Sequence, residues 1–260
     1  MGIVNVTPDS FSDGGRFRGP AEAVEHGLAL REAGADILDV GGESTRPGAD
    51  PVSASEELRR VLPVIEGLAA RSDLPVSIDT TKLEVAREAL AAGASIVNDV
   101  SALRFSPRIA ELAAETDAGL VLMHMRGEPR SMQRDPRYDD LLAEVGAHLR
   151  EAARRAEAAG VDRRSIVVDP GIGFGKTPRD SWRLLTGLLD LAPGYPVLVG
   201  HSRKSFLDPE ARRAPGDRLP QSLAAGLLAA LNGAAILRVH DVEAHARMLE
   251  AYRGYEGAKG

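Results

Sequence analysis

The sequence predicts an α/β chain folded as a single (β/α)8 TIM barrel over residues 1–260, and three observations predict it. Short, often β-branched apolar runs end in polar or glycine-rich turns, and each is followed by a longer helix-period segment rich in Ala, Leu, Glu and Arg. Roughly eight such units follow one another, and 260 residues is a usual length for one barrel. The runs are largely apolar throughout, which marks strands covered on both faces and therefore parallel. A doubly wound sheet shows the same alternation, so count and length favour the barrel rather than alternation itself. No repeat, linker or low-complexity stretch divides the chain.

In chain order, strand one covers 2–5, and the helix after it starts at Pro20, where proline suits a first helical turn. Strand two, 37–40, leads to a helix from Ser55, and strand three, 76–79, ends in Asp79 before a helix from Lys82. Strand four, 96–99, carries Asn98-Asp99 and precedes a helix from Pro107; strand five, 120–123, precedes one from Tyr138. Strand six, 166–169, delivers Asp169 into the turn Pro170-Gly171-Ile172-Gly173-Phe174-Gly175-Lys176-Thr177, and a helix opens at Pro178. Strand seven, 197–200, and strand eight, 236–239, lead to helices from Pro220 and Asp241. The connections 6–19, 41–54, 124–137 and 201–216 are longer than βα links usually are and read as substrate loops or lids. They follow the first, second, fifth and seventh strands.

Net charge is −6 and no basic tract occurs, so a nucleic-acid surface is not indicated. The chain has no cysteine, which removes disulfides and thiolate metal sites and leaves oxygen or imidazole ligands for any metal. Neither a secretion signal nor a membrane segment is visible, which favours a cytoplasmic protein. Gly175-Lys176-Thr177 imitates the end of a Walker loop, but Pro170 stands where that loop needs glycine. Lysine occurs only at 82, 176, 204 and 259.

Asn5, Asp39, Asp79, Asn98 with Asp99, His124, Asp169, Gly200, and Arg238 with His240 all fall at or just past strand C-termini. In a barrel these ends converge on the rim where active sites are built. Residues 5–15 are dense in oxygen donors, and Asn5 with Asp13 could hold a hard cation such as magnesium. Arg46, alone in a flexible loop, suits an anion or a developing negative charge.

Residues 5–15, Glu43-Ser44-Thr45-Arg46-Pro47-Gly48, the 169–176 turn, Ser202-Arg203-Lys204-Ser205-Phe206 and Arg238-Val239-His240-Asp241 together resemble the signature segments of dihydropteroate synthases, in the same order and across essentially the whole chain. That family is a (β/α) barrel of folate biosynthesis and a sulfonamide target. It condenses p-aminobenzoate with 6-hydroxymethyl-7,8-dihydropterin pyrophosphate to 7,8-dihydropteroate and pyrophosphate. The resemblance implies Asp79, Asn98, Asp169, Lys204 and Arg238 for the pterin, and Phe11, Thr45, Pro47, Phe174 and Ser205 for p-aminobenzoate. It implies Asn5, Arg46, Arg238 and His240 for the diphosphate, Asn5 and Asp13 for Mg2+, and small-molecule substrates within a homodimer. The chemistry would rest on Asn5, Asp13, Arg46, Lys204, Arg238 and His240.

The rival readings are a pterin-dependent methyltransferase, a non-catalytic pterin-binding relative and a phosphosugar-processing barrel. The methyltransferase would not need the first loop, Arg46 or the 202–206 segment. His26, His148 and His245 fall in helical pattern and are expected to be solvated; His124 is expected to shape the fifth loop, and His201 is given no role. Three departures from the family stand out: Thr81 replaces a usual tyrosine, Asp208-Pro209-Glu210 is acidic, and a first strand beginning at Gly2 leaves the barrel bottom less well plugged.

Overall fold

The computed structural model describes residues 1–7, 19–44, 48–128 and 130–258. Phe11, Asp13, Thr45, Arg46 and Pro47 therefore lie outside the described residues. Six strands form one parallel sheet in sequence order: β1 (Gly2–Asn5), β2 (Leu38–Gly41), β3 (Val76–Asp79), β4 (Ile96–Asp99), β5 (Gly119–Met123) and β6 (Ile166–Asp169). β7 (Leu198–Val199) and β8 (Ile236–Leu237) form a parallel pair. Single parallel bridges, Val168 to Val197 and Gly2 to Val239, join this pair to both edges of the larger sheet. Hydrogen bonds from Val168 N to Pro196 O (3.0 Å) and from Val239 N to Met1 O (2.9 Å) complete the ring. The fold is thus the expected (β/α)8 barrel. Strands seven and eight are shorter than the sequence predicts because Val197 and Val239 bridge outwards across the seams instead of extending the β7–β8 ladder.

The helices are α1 (Pro20–Glu32), α2 (Ala54–Arg71), α3 (Leu83–Ala91), α4 (Ile109–Glu115), α5 (Leu141–Ala158), α6 (Pro178–Thr186), α7 (Leu188–Leu191), α8 (Leu219–Leu231) and α9 (Val242–Gly257). Side-chain caps fix several starts: Ser53 accepts from Glu56 N, Asp140 accepts from Ala143 N, and Thr177 with Asp180 forms a reciprocal capping box. Each such cap contributes about 1 kcal/mol. The Asp140 cap also explains why α5 opens three residues later than Tyr138, whose hydroxyl is spent elsewhere. No helix of the described residues is long and apolar enough to cross a membrane.

Strand alternation sorts the side chains into two destinations. Leu38, Val40, Ile78, Val97, Leu120, Leu122, Ile166 and Val168 point outwards into the main core beneath the helices. The opposite parity faces the barrel interior, where Met1, Val121 and Leu198 pack with Ile37, Ile96, Val167 and Ile236 as a floor. The barrel bottom is therefore filled within this chain, contrary to the expectation of a poorly plugged end. Two residues beyond Ile37, Ile96, Val167 and Ile236, the inward parity becomes polar with Asp39, Asn98, Asp169 and Arg238.

Candidate active site

Asn98 and Asp169 are the inward residues two positions beyond Ile96 and Val167 of the apolar floor, and Asp79 stands likewise two beyond buried Ser77, so the same strand faces deliver polar groups to the mouth. Asp99 has the other parity. Its carboxylate is buried in its own turn, accepting from Ser101 N, Ser101 Oγ and Leu103 N, with Ala102 and Leu103 at positive φ behind it. Of the Asn98-Asp99 pair, only Asn98 reaches the mouth.

Arg238, just past β8, crosses the mouth to the opposite strands. Its Nε donates to Asp39 Oδ2 (2.6 Å) and its Nη2 to Asp79 Oδ2 (2.8 Å), while Asn98 Nδ2 donates to the same Asp39 oxygen (3.2 Å). Asp39 is fully buried, with Oδ1 unpartnered among the described residues, so removing Arg238 would strand a buried charge at a cost of about 3–5 kcal/mol. Burial raises Asp79 to about 7, opposed by Arg238 and reinforced by Asp39. Burial also works against the Arg238 charge, but Asp39 and Asp79 outweigh it and keep the guanidinium protonated.

The second polar group is built on the glycine turn after β6. Gly171, Gly173 and Gly175 have φ of +67°, +82° and +64°, a region where a side chain is strained. A Cβ at 171 would also stand 1.9 Å from the His124 carbonyl oxygen. Asp169 Oδ1 accepts from Gly171 N (2.7 Å), and burial raises the carboxyl pKa against the pull of Lys204 and that N–H. Lys204 Nζ donates to Ile172 O (2.6 Å) and lies 4.6 Å from the centre of the Phe174 ring. Burial lowers Lys204 to about 8 despite Asp169. Burial thus pushes both groups towards neutrality. A Cβ at Gly200 would sit 3.7 Å from Lys204 Nζ and 4.0 Å from Asp169 Oδ2, so the missing side chain keeps the space between them open. Phe174 is half-buried against Val100, Met123, Met125 and Met132.

His240 follows Arg238; its N and Nδ1 both lie within hydrogen-bond distance of Ser202 Oγ (3.2 and 3.1 Å). Arg203, at φ +61°, holds the seventh loop to the eighth by a two-point ion pair with Asp241 (2.9 and 2.5 Å). Ser205 is exposed and opens a single 3-10 turn, Ser205–Leu207. The acidic departure at Asp208 has a local explanation: its buried carboxylate accepts from Arg213 N (2.6 Å) and lies 4.0 Å from Arg218 Nε, and Arg218 in turn donates to Arg203 O. Three histidine expectations are corrected. His245 is buried rather than solvated, its Nε2 3.3 Å from that of buried His201 across Gly226 of α8, and His148 is half-buried with its ring edge-on to His124. His26 is half-buried as well. For His201, burial and the neighbouring ring push the pKa down to about 3.

Asn5 ends β1 half-buried beside Gly41. At the base of the second loop, Lys82 pairs with Glu43 and with fully buried Glu57 (2.5 Å), and Glu43 also accepts from Val52 N. Thr81 lies just before Lys82, outside α3. A cavity of about 300 Å³ opens between these residues, Asp79, Val100 and Met125. Among the described residues no group of three His, Asp or Glu side chains is placed to hold a metal ion; Asn5 is the one expected ligand that is described. Sequence reasoning assigned the lysine at 204 but missed Lys82 and Lys176, although the rarity of lysine marked all of them.

The chain is similar to known proteins over almost its whole length. The family model described as pterin binding enzyme matches residues 1–240. The dihydropteroate synthase of Escherichia coli K12 is 48% identical over 244 residues, covering 94% of this chain and 86% of the relative. A crystal structure of Yersinia pestis dihydropteroate synthase with a sulfonamide drug complex superposes with a TM-score of 0.92 at 44% identity, covering 98% of this chain and 94% of that one. The Xanthomonas albilineans dihydropteroate synthase with 4-aminobenzoic acid gives 0.91 at 51% identity, covering 98% and 92%.

Proposed function

The chain belongs to the pterin-binding enzyme family, and on that premise we propose that it condenses p-aminobenzoate with 6-hydroxymethyl-7,8-dihydropterin pyrophosphate, giving 7,8-dihydropteroate and pyrophosphate in folate biosynthesis. The observation that carries the reading is the convergence of Asp79, Asn98 and Asp169 with Lys204 and Arg238 on one barrel mouth.

A pterin edge presents an amino group and a ring N–H side by side, and a single carboxylate accepts both. Asp169 takes that edge. Asp79 and Asn98 meet the rest of the heterocycle, the amide of Asn98 serving as donor or acceptor. Arrival of those donors favours the charged carboxylate that burial alone disfavours. Lys204 reaches the pterin carbonyl or ring nitrogen, and Arg238 lays its plane against the bicycle while its charge faces the diphosphate.

As the bond to pyrophosphate breaks, negative charge gathers on the leaving group and positive charge on the pterin methylene. The substitution is SN1-like and needs no covalent nucleophile. Asn5, Arg46, Arg238 and His240 stabilise the departing diphosphate, and closed loops keep water from the cation. Asn5 and Asp13 would hold magnesium through their side-chain oxygens, and the ion would supply further charge neutralisation. That oxygen-only donor set fits a cation which keeps waters and uses few protein ligands. Phe174 and Ser205, with Phe11, Thr45 and Pro47, hold p-aminobenzoate so that its amine attacks in line. The chain is read as one domain that works as a homodimer. Support for the dimer comes from Trp182, Leu189, Leu228 and Leu231, large apolar side chains left exposed on α6, α7 and α8.

The test is pyrophosphate release from the dihydropterin pyrophosphate with magnesium. Release that depends on p-aminobenzoate and yields dihydropteroate is expected; tight pterin binding without release would overturn the reading.

A further inference from the structure

Every carbonyl from Ile172 to Gly175 in the glycine turn is claimed by a side chain. Ile172 O accepts from Lys204 and Gly173 O from Gln133 Nε2. Phe174 O accepts from Lys176 Nζ (3.0 Å) and Gly175 O from Tyr138 Oη (2.8 Å). Lys204 already has a role in the proposed reaction. Gln133, Tyr138 and Lys176 have none, and they approach from behind the turn.

Lys176 is the best placed of the three. It is almost fully buried, and besides Phe174 O its Nζ meets His124 Nδ1 (2.9 Å) and His124 O (3.3 Å). Burial lowers Lys176 to about 7 against the pull of Asp169; in its protonated form it has three N–H donors, and three acceptors surround it. His124 keeps its ring neutral, pushed down to about 2 by burial and by Lys176, and in its Nε2–H tautomer Nδ1 accepts from Lys176. The amine thereby ties the start of the fifth loop to the residue whose ring lies 4.6 Å from Lys204 Nζ.

We infer that Lys176, with His124 and Tyr138 behind it, is a positioning residue that fixes Phe174 and hence the face offered to p-aminobenzoate. The inference rests on the synthase reading. It separates the two substrates by geometry: Asp169 is positioned by β6 and by Gly171 N, upstream of the pinned carbonyls, and Lys176 acts on it through charge and not through contact. Losing the pins therefore moves the p-aminobenzoate wall while the pterin edge keeps its partner.

The experiment compares full-length wild type with Lys176→Met, which keeps volume and loses all donors, and Tyr138→Phe, which loses one hydroxyl at the edge. Steady-state pyrophosphate release gives kcat and the KM for p-aminobenzoate, calorimetry gives the affinity for the dihydropterin pyrophosphate, and thermal melting checks folding. Lys176→Met is expected to raise the KM for p-aminobenzoate about tenfold or more, with pterin affinity and kcat each within about threefold. Tyr138→Phe should raise the same KM by about threefold. An unchanged KM in folded Lys176→Met overturns the inference, as does an equal loss of pterin affinity. If Lys176→Met does not fold, an unchanged KM in Tyr138→Phe overturns it. Wild type that releases no pyrophosphate would instead overturn the synthase reading.

Discussion

From β1 to β6 each strand pairs with its neighbour over three or four residues, whereas β7 and β8 share two and join the rest of the barrel through one bridge at each seam. The carboxylates and the amide of the mouth, Asp39, Asp79, Asn98 and Asp169, stand on the longer arc; the cations Lys204 and Arg238 follow the shorter one. Side-chain length accounts for the division. An aspartate places its charge only as well as its backbone is placed, so it needs a firmly laddered strand. A lysine or arginine reaches across the mouth and is steered at its tip, Arg238 by two carboxylates and Lys204 by a carbonyl.

The largest effect is expected where the longer arc meets substrate. Asp169→Ala should weaken dihydropterin pyrophosphate binding by about 100-fold or more, read by calorimetry; unchanged affinity would break the assignment of acids to the pterin. Next is Asp39→Asn, which touches no substrate and leaves Arg238 with one carboxylate. It should cut kcat/KM about tenfold, and full activity would mean that Arg238 needs no steering from the opposite arc.

Asp79 allows a test without substrate. Its folded pKa of about 7 exceeds the ordinary 3.8, so between those values the folded protein retains a proton that the unfolded chain has released. Its contribution to stability therefore falls as pH rises from about 4 to about 7. The melting temperature of wild type relative to Asp79→Asn should decline across that window, and parallel curves would refute the shift. The smallest effect belongs to the edge of the shorter arc: Asp208→Ala should change the KM for p-aminobenzoate by less than about threefold while lowering the melting temperature by several degrees. A larger change in KM would show that the outer seventh loop helps to form the site.

The division into arcs was only partly readable beforehand. Apolar runs, four of them ending in Asp or Asn, gave six strands to within a residue, because burial on both faces leaves a strong pattern. The mouth residues followed from strand ends. Asp99 did not separate from Asn98, although parity alone assigns one inwards and the other to its turn. His245 was expected in solvent, yet it shares a helical stripe with buried Val242. The ties between Lys176 and His124, and between Lys82 and Glu57, join residues 52 and 25 positions apart. Such contacts follow from the ring's closure, which periodicity does not encode.

The amines of the described residues have an unusual distribution. Met1 N donates to Leu237 O at the barrel floor, while Lys82, Lys176 and Lys204 are all engaged around the mouth. Arginine supplies the remaining positive side chains of the described residues. Among the described residues, amine-directed chemistry, whether a dye, a cross-linker or an activated resin, would thus meet mainly guanidinium on the outside of this barrel. Coupling at Lys82 or Lys204 would report on the mouth, and tethering through either would act on the opening, whereas Lys259 lies outside the described residues.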